Sequence, residues 1–372
     1  MIKKKRIYLI ILLGLLFVPL LSNVLLQRRI FSDLENRYLT STVKIDKDLL
    51  KSGVLAERLE AFVQDQFPLR ENFINLKSDL EVLLDKKENN GIYFGKGGYL
   101  FGKPKIYQET IYKKNLAALV ALSNESSLPI GIFIVPPSQL VLTENLPKYY
   151  TPLKEEKYYE EIMKTLKPTG APHGIEVLSP HWEEGIYFRT DHHWTQRGAY
   201  EGYKALMVSM DLQPVKIASY EPVLVDGFQG TFYSKFRGNI AGSEPFIYYE
   251  AEAADLMVYY PATEVMEDRI IFEERLSTRD KYAAYLNGND PLIEIRNEDA
   301  LYDEKVLVLK DSNANAMSPF LVDTFKEVHY LDLRYFNLPL SDYLEENGFD
   351  RVLCIYGMDS VGEDENLMKL AK

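Results

Sequence analysis

The sequence predicts an α/β domain on parallel strands with helices over both faces, preceded by an apolar N-terminal segment and a helical stalk. Three observations predict it. Four short β-rich runs, 130–135, 306–309, 328–333 and 352–356, alternate with stretches of helical periodicity, as in βαβ units. Three of these runs pass directly into polar or glycine loops: Pro136-Pro137-Ser138-Gln139, Asp311-Ser312-Asn313 and Gly357-Met358-Asp359. Finally, 372 residues with 46% hydrophobic content can bury one large core or two modest ones. Ligands of open α/β sheets bind beyond the carboxyl ends of the strands, so the three loops are expected to line one crevice.

From the N-terminus, Lys3-Lys4-Lys5-Arg6 precedes an uncharged stretch from Ile7 to Leu26, about the 20 residues that cross a bilayer. The stretch exceeds the ~7–15 residue core of a secretory signal, and no Ala-x-Ala-like site follows, so an uncleaved anchor is expected over a removed signal. The basic flank predicts a cytoplasmic N-terminus with the rest of the chain outside. Apolar residues then recur at helical spacing at Leu55, Leu59, Phe62 and Val63, and again at Phe73, Leu76, Leu80 and Leu83. These predict a helical stalk packed on the main body. Gly91-Ile92-Tyr93-Phe94-Gly95 with Gly97-Gly98-Tyr99-Leu100 reads as a glycine-turned hairpin. The expected organisation is therefore an anchor or signal segment over 1–28, a stalk over 29–90, and an α/β domain over 91–372 with an irregular insertion near 213–300.

The formal net charge of −12 excludes a general nucleic-acid binder, which needs a basic footprint. Cys354 is the only cysteine, so no intrachain disulfide can form, and its place in Val352-Leu353-Cys354-Ile355 predicts a buried small hydrophobe. The 26 tyrosines are expected mostly in packing.

Chemistry concentrates in Thr190-Asp191-His192-His193-Trp194-Thr195, in a chain with five histidines. An aspartate that orients a histidine makes a general base able to activate a hydroxyl near neutral pH. Asp191 and His193 are separated by one residue, so on an extended loop their side chains point the same way, which favours His193 over His192 as the base. Thr195 is a good N-cap for a helix toward Met210 with Ala199, Tyr203, Leu206 and Met207 on one face. Ser312, between the run 306–309 and Asn313-Ala314-Asn315-Ala316, is the candidate nucleophile on a strand-to-helix turn, and the competing reading of that turn is Asp311 or Ser312 as an ordinary helix N-cap. The backbone there, with Asn313 or Asn315, supplies oxyanion donors. His192, Trp194, Gly230, Ser138 and Gln139 complete the expected substrate-binding set. Coordination of zinc by Asp191, His192 and His193 with His173 or His181 is the competing reading. Adjacent histidines seldom converge on one ion and no His-x-x-x-His or Cys-x-x-Cys pair is present, so neither metal nor cofactor is expected.

The chain resembles the DHHW protein family in Asp191-His192-His193-Trp194, and is similar to the SGNH-hydrolase-like domains of bacterial alginate and exopolysaccharide O-acetylation proteins. The resemblance extends over Glu35-Asn36-Arg37, Asp65-Gln66-Phe67-Pro68-Leu69-Arg70, Val135-Pro136-Pro137, the string from Tyr187 to Tyr200, and Asp311-Ser312 through Tyr335. It implies a flavodoxin-like three-layer α/β/α sandwich and a triad of Asp191, His193 and Ser312. Lys310 stands where the relatives' serine motif usually has glycine. The resemblance further implies a membrane-anchored extracytoplasmic enzyme that O-acetylates a cell-surface polysaccharide, with acetyl groups delivered by a membrane-bound O-acyltransferase partner. The alternatives are a secreted carbohydrate esterase, which uses the same triad, and a non-catalytic glycan-binding scaffold of an envelope complex.

Overall fold

A computed structural model describes residues 8, 13–14, 27–32, 37–43, 54–253 and 255–371. Most of the expected anchor, and Glu35-Asn36, lie outside the described residues; among those described, no helix is long and apolar enough to cross a membrane. The chain divides into two compact units, residues 1–89 with 234–240, and residues 90–233 with 241–372.

The first unit carries two helices, α1 (Val54–Asp65) and α2 (Arg70–Leu83), over the two stretches of expected helical period. Their junction explains why Asp65 and Gln66 fall where they do. The Asp65 carboxylate accepts from the Arg37 guanidinium and from the N–H of Thr40 at 2.8 Å. Gln66 brackets the backbone of Arg29, accepting from its N–H at 3.0 Å and donating to its carbonyl at 2.9 Å. Burial would raise the Asp65 carboxyl, but Arg37 and Thr40 outweigh it and hold it below its ordinary value.

The second unit is built on a seven-stranded sheet of β1 (Ile130–Val135), β2 (Leu256–Tyr260), β3 (Val265–Glu267), β4 (Leu292–Asn297), β5 (Tyr302–Lys310), β6 (Phe325–Leu331) and β7 (Arg351–Gly357), in the order β3-β2-β4-β6-β5-β7-β1. The four expected runs are β1, β5, β6 and β7, and they pair in parallel. β2, β3 and β4 extend the sheet antiparallel from β6, so the sheet is mixed rather than wholly parallel. All three come from the stretch read as an irregular insertion.

Alternation along the parallel strands sorts the core into two layers. Phe133, Val306, Val308, Leu353 and Ile355 pack with Ala199, Tyr203, Leu206 and Phe320 from α5 (Gln196–Ser209) and α6 (Ser318–Thr324). Ile132, Ile134, Leu307, Leu309, Val352 and Cys354 pack on the other face with α3 (Glu109–Glu125), α4 (Leu153–Leu166) and α7 (Leu340–Asn347). Strands buried on both faces read as continuous apolar runs, which is why these four were visible in the sequence. The expected hairpin forms from Ile92–Phe94 and Leu100–Gly102.

Candidate active site

Two of the three carboxyl-end loops, those after β5 and β7, are tied together at Asp311, directly after β5. One carboxylate oxygen of Asp311 accepts from the N–H of Gly357 at 2.7 Å and the hydroxyl of Ser360 at 2.6 Å. The other accepts from the N–H and the side-chain amide of Asn313 at 2.8 and 2.9 Å. Asp311 is thus the N-cap of a short 3-10 turn, Ser312–Met317, that leads into α6. Because the cap uses the neighbour's carboxylate, the Ser312 hydroxyl is released to face away from its own backbone.

That hydroxyl meets His193. The Nε2 of His193 lies 2.8 Å from Ser312 Oγ, and its Nδ1 lies 2.6 Å from Asp191 Oδ1. The pairing chosen from spacing is the one formed, but through an Asx turn rather than an extended loop: Asp191 Oδ1 also accepts the backbone N–H of His193 at 2.9 Å. Asp191 Oδ2 accepts from the N–H of Thr231 at 2.6 Å. Burial would raise this carboxyl, but the His192 and His193 imidazoles and the Thr231 N–H outweigh it and hold it far below the usual range. An ionised Asp191 can only accept, so a neutral His193 carries its proton on Nδ1, donating it to Asp191, and its Nε2 lone pair faces the serine.

The imidazole is held on both faces. Tyr282 stacks on it with ring centroids 3.8 Å apart and planes 6° apart, and His192 covers the opposite face at 3.7 Å. The Tyr282 hydroxyl donates to the Ser312 carbonyl at 2.9 Å, so one side chain restrains both His193 and Ser312. Sequence reasoning missed Tyr282; no local pattern marks a tyrosine 30 residues before the serine it touches. The loop carrying Asp191 is itself pinned by Glu244, which accepts from the N–H groups of Arg189 and Thr190, both at 2.8 Å.

The expected surrounding residues divide. Asn313 stays beside the serine, giving one amide bond to Asp311 and keeping a second amide hydrogen. The N–H of Ser312, first in its turn, has no acceptor within that turn. His192 sits at the mouth, 44% exposed, with Nδ1 2.7 Å from the Thr231 hydroxyl. The other five are buried or bonded away from the serine hydroxyl. Asn315 is buried and directs its amide to the Gly288 carbonyl and to Asn289, and its oxygen to Lys310, so it has no part in an oxyanion hole. Trp194 is wholly buried, stacked on Phe133, with Nε1 donating to the Asn313 carbonyl at 2.9 Å, and it supports the turn from beneath. Gly230 is there for clearance: a Cβ would stand 2.3 Å from Asp191 Oδ2. Ser138 and Gln139 are buried after β1, where Gln139 donates to Glu155 at 3.0 Å.

Asp191, His192 and His193 are also, among the described residues, a group whose potential ligand atoms lie within 4.8 Å of one another. The Nδ1 atoms of both histidines and the Asp191 carboxylate also take part in the hydrogen bonds above.

The class defined by this fold and site is an α/β domain with an Asp-His-Ser hydrogen-bond chain at the carboxyl ends of its parallel strands. The sequence profile of the DHHW protein family matches residues 158–331, a span that holds all three side chains. A curated relative, the probable alginate O-acetylase AlgJ of Pseudomonas putida, is 24% identical over 185 residues. The match covers 47% of this chain and 48% of the relative, so the chain spans about half the length of that relative. Among solved structures, a DHHW family protein from Eubacterium siraeum superposes with a TM-score of 0.62 at 24% identity, covering 76% of this chain and 95% of that one. PatB1 of Bacillus cereus, solved with a sulfonyl adduct, gives 0.60 at 22% identity, covering 76% and 100%. The resemblance read from the sequence is thus found in family profile and fold.

Proposed function

We propose that this chain is a serine acyl-transfer enzyme of SGNH type that O-acetylates a polysaccharide of the cell surface. The observation that carries the reading is the continuous chain from Asp191 through His193 to Ser312, with links of 2.6 and 2.8 Å. His193 Nε2 takes the Ser312 proton as Oγ attacks the acetyl carbonyl of the donor. The developing oxyanion is received by the Ser312 N–H and the second amide hydrogen of Asn313. His193 then returns its proton to the leaving group, leaving acetyl-Ser312. A saccharide hydroxyl, deprotonated by His193, attacks that ester and restores the serine, while Asp191 holds the imidazolium that forms at each step.

The polysaccharide acceptor is supported by the named activity of the AlgJ relative, a probable alginate O-acetylase; a membrane-bound O-acyltransferase as acetyl donor is part of the same proposal. The apolar stretch after Lys3-Lys4-Lys5-Arg6 supports an anchor with the domain outside the membrane. The test is product analysis with an activated acetyl ester and a panel of bacterial polysaccharides. Acetyl esters accumulating on a saccharide, and absent with Ser312→Ala, support transfer. Free acetate alone, from a protein that reacts in every other respect, selects the esterase instead.

A further inference from the structure

Lys310 ends β5 two residues before Ser312 and is buried. Among the described residues it forms no ion pair; its ammonium rests on two amide oxygens, Asn315 Oδ1 at 2.7 Å and Asn289 Oδ1 at 2.9 Å. Burying a cation without a carboxylate partner is costly, and an apolar side chain would end the strand more cheaply. A cost of this kind at the edge of a reacting group points to a role there.

The partners of Lys310 show the role. Asn315, inside the serine turn, donates to the Gly288 carbonyl at 3.1 Å and to Asn289 Oδ1 at 3.2 Å. The segment that receives it has an unusual backbone, with Leu286, Asn287 and Gly288 at φ of 56°, 57° and 102°. Such a run persists only where its surroundings fix it. Four residues earlier on the same side, Tyr282 stacks on His193 and bonds the Ser312 carbonyl. The segment from 282 to 289 therefore touches base, nucleophile and turn, and Lys310 joins its far end to that turn.

We propose that Lys310 is a positioning residue: its ammonium, shared between Asn289 and Asn315, locks the turn so that Ser312 Oγ stays within hydrogen-bond reach of His193. The proposal rests on Ser312 being the nucleophile. Removing the ammonium leaves two buried amide oxygens facing each other across a single N–H, and the turn then relaxes away from His193. The charged groups acting on Lys310 are Asp332, Asp311 and Asp290, which favour its charge, and Arg334, which opposes it; burial outweighs them and pushes the ammonium down to about 8. The lock should therefore open on the alkaline side.

The experiment uses the full chain and follows the rate of Ser312 modification by phenylmethanesulfonyl fluoride, with kcat and KM for an aryl acetate, from mildly acidic to alkaline pH. Lys310→Met is expected to lower the labelling rate and kcat by about 10- to 100-fold, the effect of a small misplacement, with KM held and the fold retained by circular dichroism. The parent should lose reactivity above about 8 while Lys310→Met shows no such limb. Adding Asn289→Leu to Lys310→Met should cost nothing further, because both act through one lock. Labelling of Lys310→Met at the parental rate, or a parental alkaline limb in that variant, overturns the proposal. If Lys310→Met does not fold, Asn289→Leu alone carries the test, and a parental rate there overturns it. A parent that does not label at Ser312 removes the nucleophile itself and this role with it.

Discussion

Replacing Asp191 by asparagine is isosteric, yet neither orientation of the new amide fits the site. With its oxygen toward His193, the amide nitrogen faces the Thr231 N–H across the present 2.6 Å contact, donor against donor. A buried donor left without its acceptor costs about 1–3 kcal/mol. With the amide flipped, its N–H groups face the backbone N–H and Nδ1 of His193, which now lie 2.9 and 2.6 Å from the carboxylate. The imidazole must then give up its Nδ1 proton and carry it on Nε2, where it points at Ser312 and can accept nothing. In a triad the corresponding change lowers kcat by roughly 10⁴. At ~1.4 kcal/mol per decade, that is about 5 kcal/mol of transition-state stabilisation. Steady-state hydrolysis of an aryl acetate, with circular dichroism to verify folding, measures it. Asp191→Asn retaining a kcat within about tenfold of the parent would refute the argument that this carboxylate sets the tautomer.

Gly230→Ala places a methyl 2.3 Å from Asp191 Oδ2, so it should shift that carboxylate and lower kcat by about 10²-fold or more, with a smaller effect on KM, as read in the same assay. Glu155 is buried with one oxygen unpartnered, and burial pushes its carboxyl up to about 7. Its raised value adds stability that is complete below the unfolded value near 4.3 and is lost as pH rises through 7, so Glu155→Gln should flatten that loss and stabilise the protein at pH 8 by about 1–3 kcal/mol, measured by calorimetry at pH 5 and 8. Cys354 is wholly buried and its thiol is pushed up to about 12, so iodoacetamide should label it only in denaturant; labelling of the native chain would contradict its place in the core.

How much of this was legible follows from where each residue's partners lie. β1, β5, β6 and β7 are buried on both faces, and their apolar runs announce them. β2 and β4 are covered mainly on alternate residues, and β3 is a short exposed edge, so among acidic flanks they read as irregular. The Asp191-His193 pair is local in sequence and was found, whereas Tyr282 acts through a ring stack that only the fold assembles. Asn315 shows the opposite error. Its type suits an oxyanion donor, but Lys310, placed beneath it by the strand, turns its amide inward. The Asp311 cap and the Ser312 nucleophile looked like rival readings of one turn, yet the carboxylate caps it and thereby leaves the hydroxyl outside.

Intact-mass spectrometry of the chain lacking residues 1–28, after exposure to an activated acetyl ester, tests the nucleophile most directly. The account predicts one acetyl adduct that maps to Ser312 and disappears in both Ser312→Ala and His193→Ala. An adduct on another residue, or none on a folded and otherwise intact protein, would contradict it.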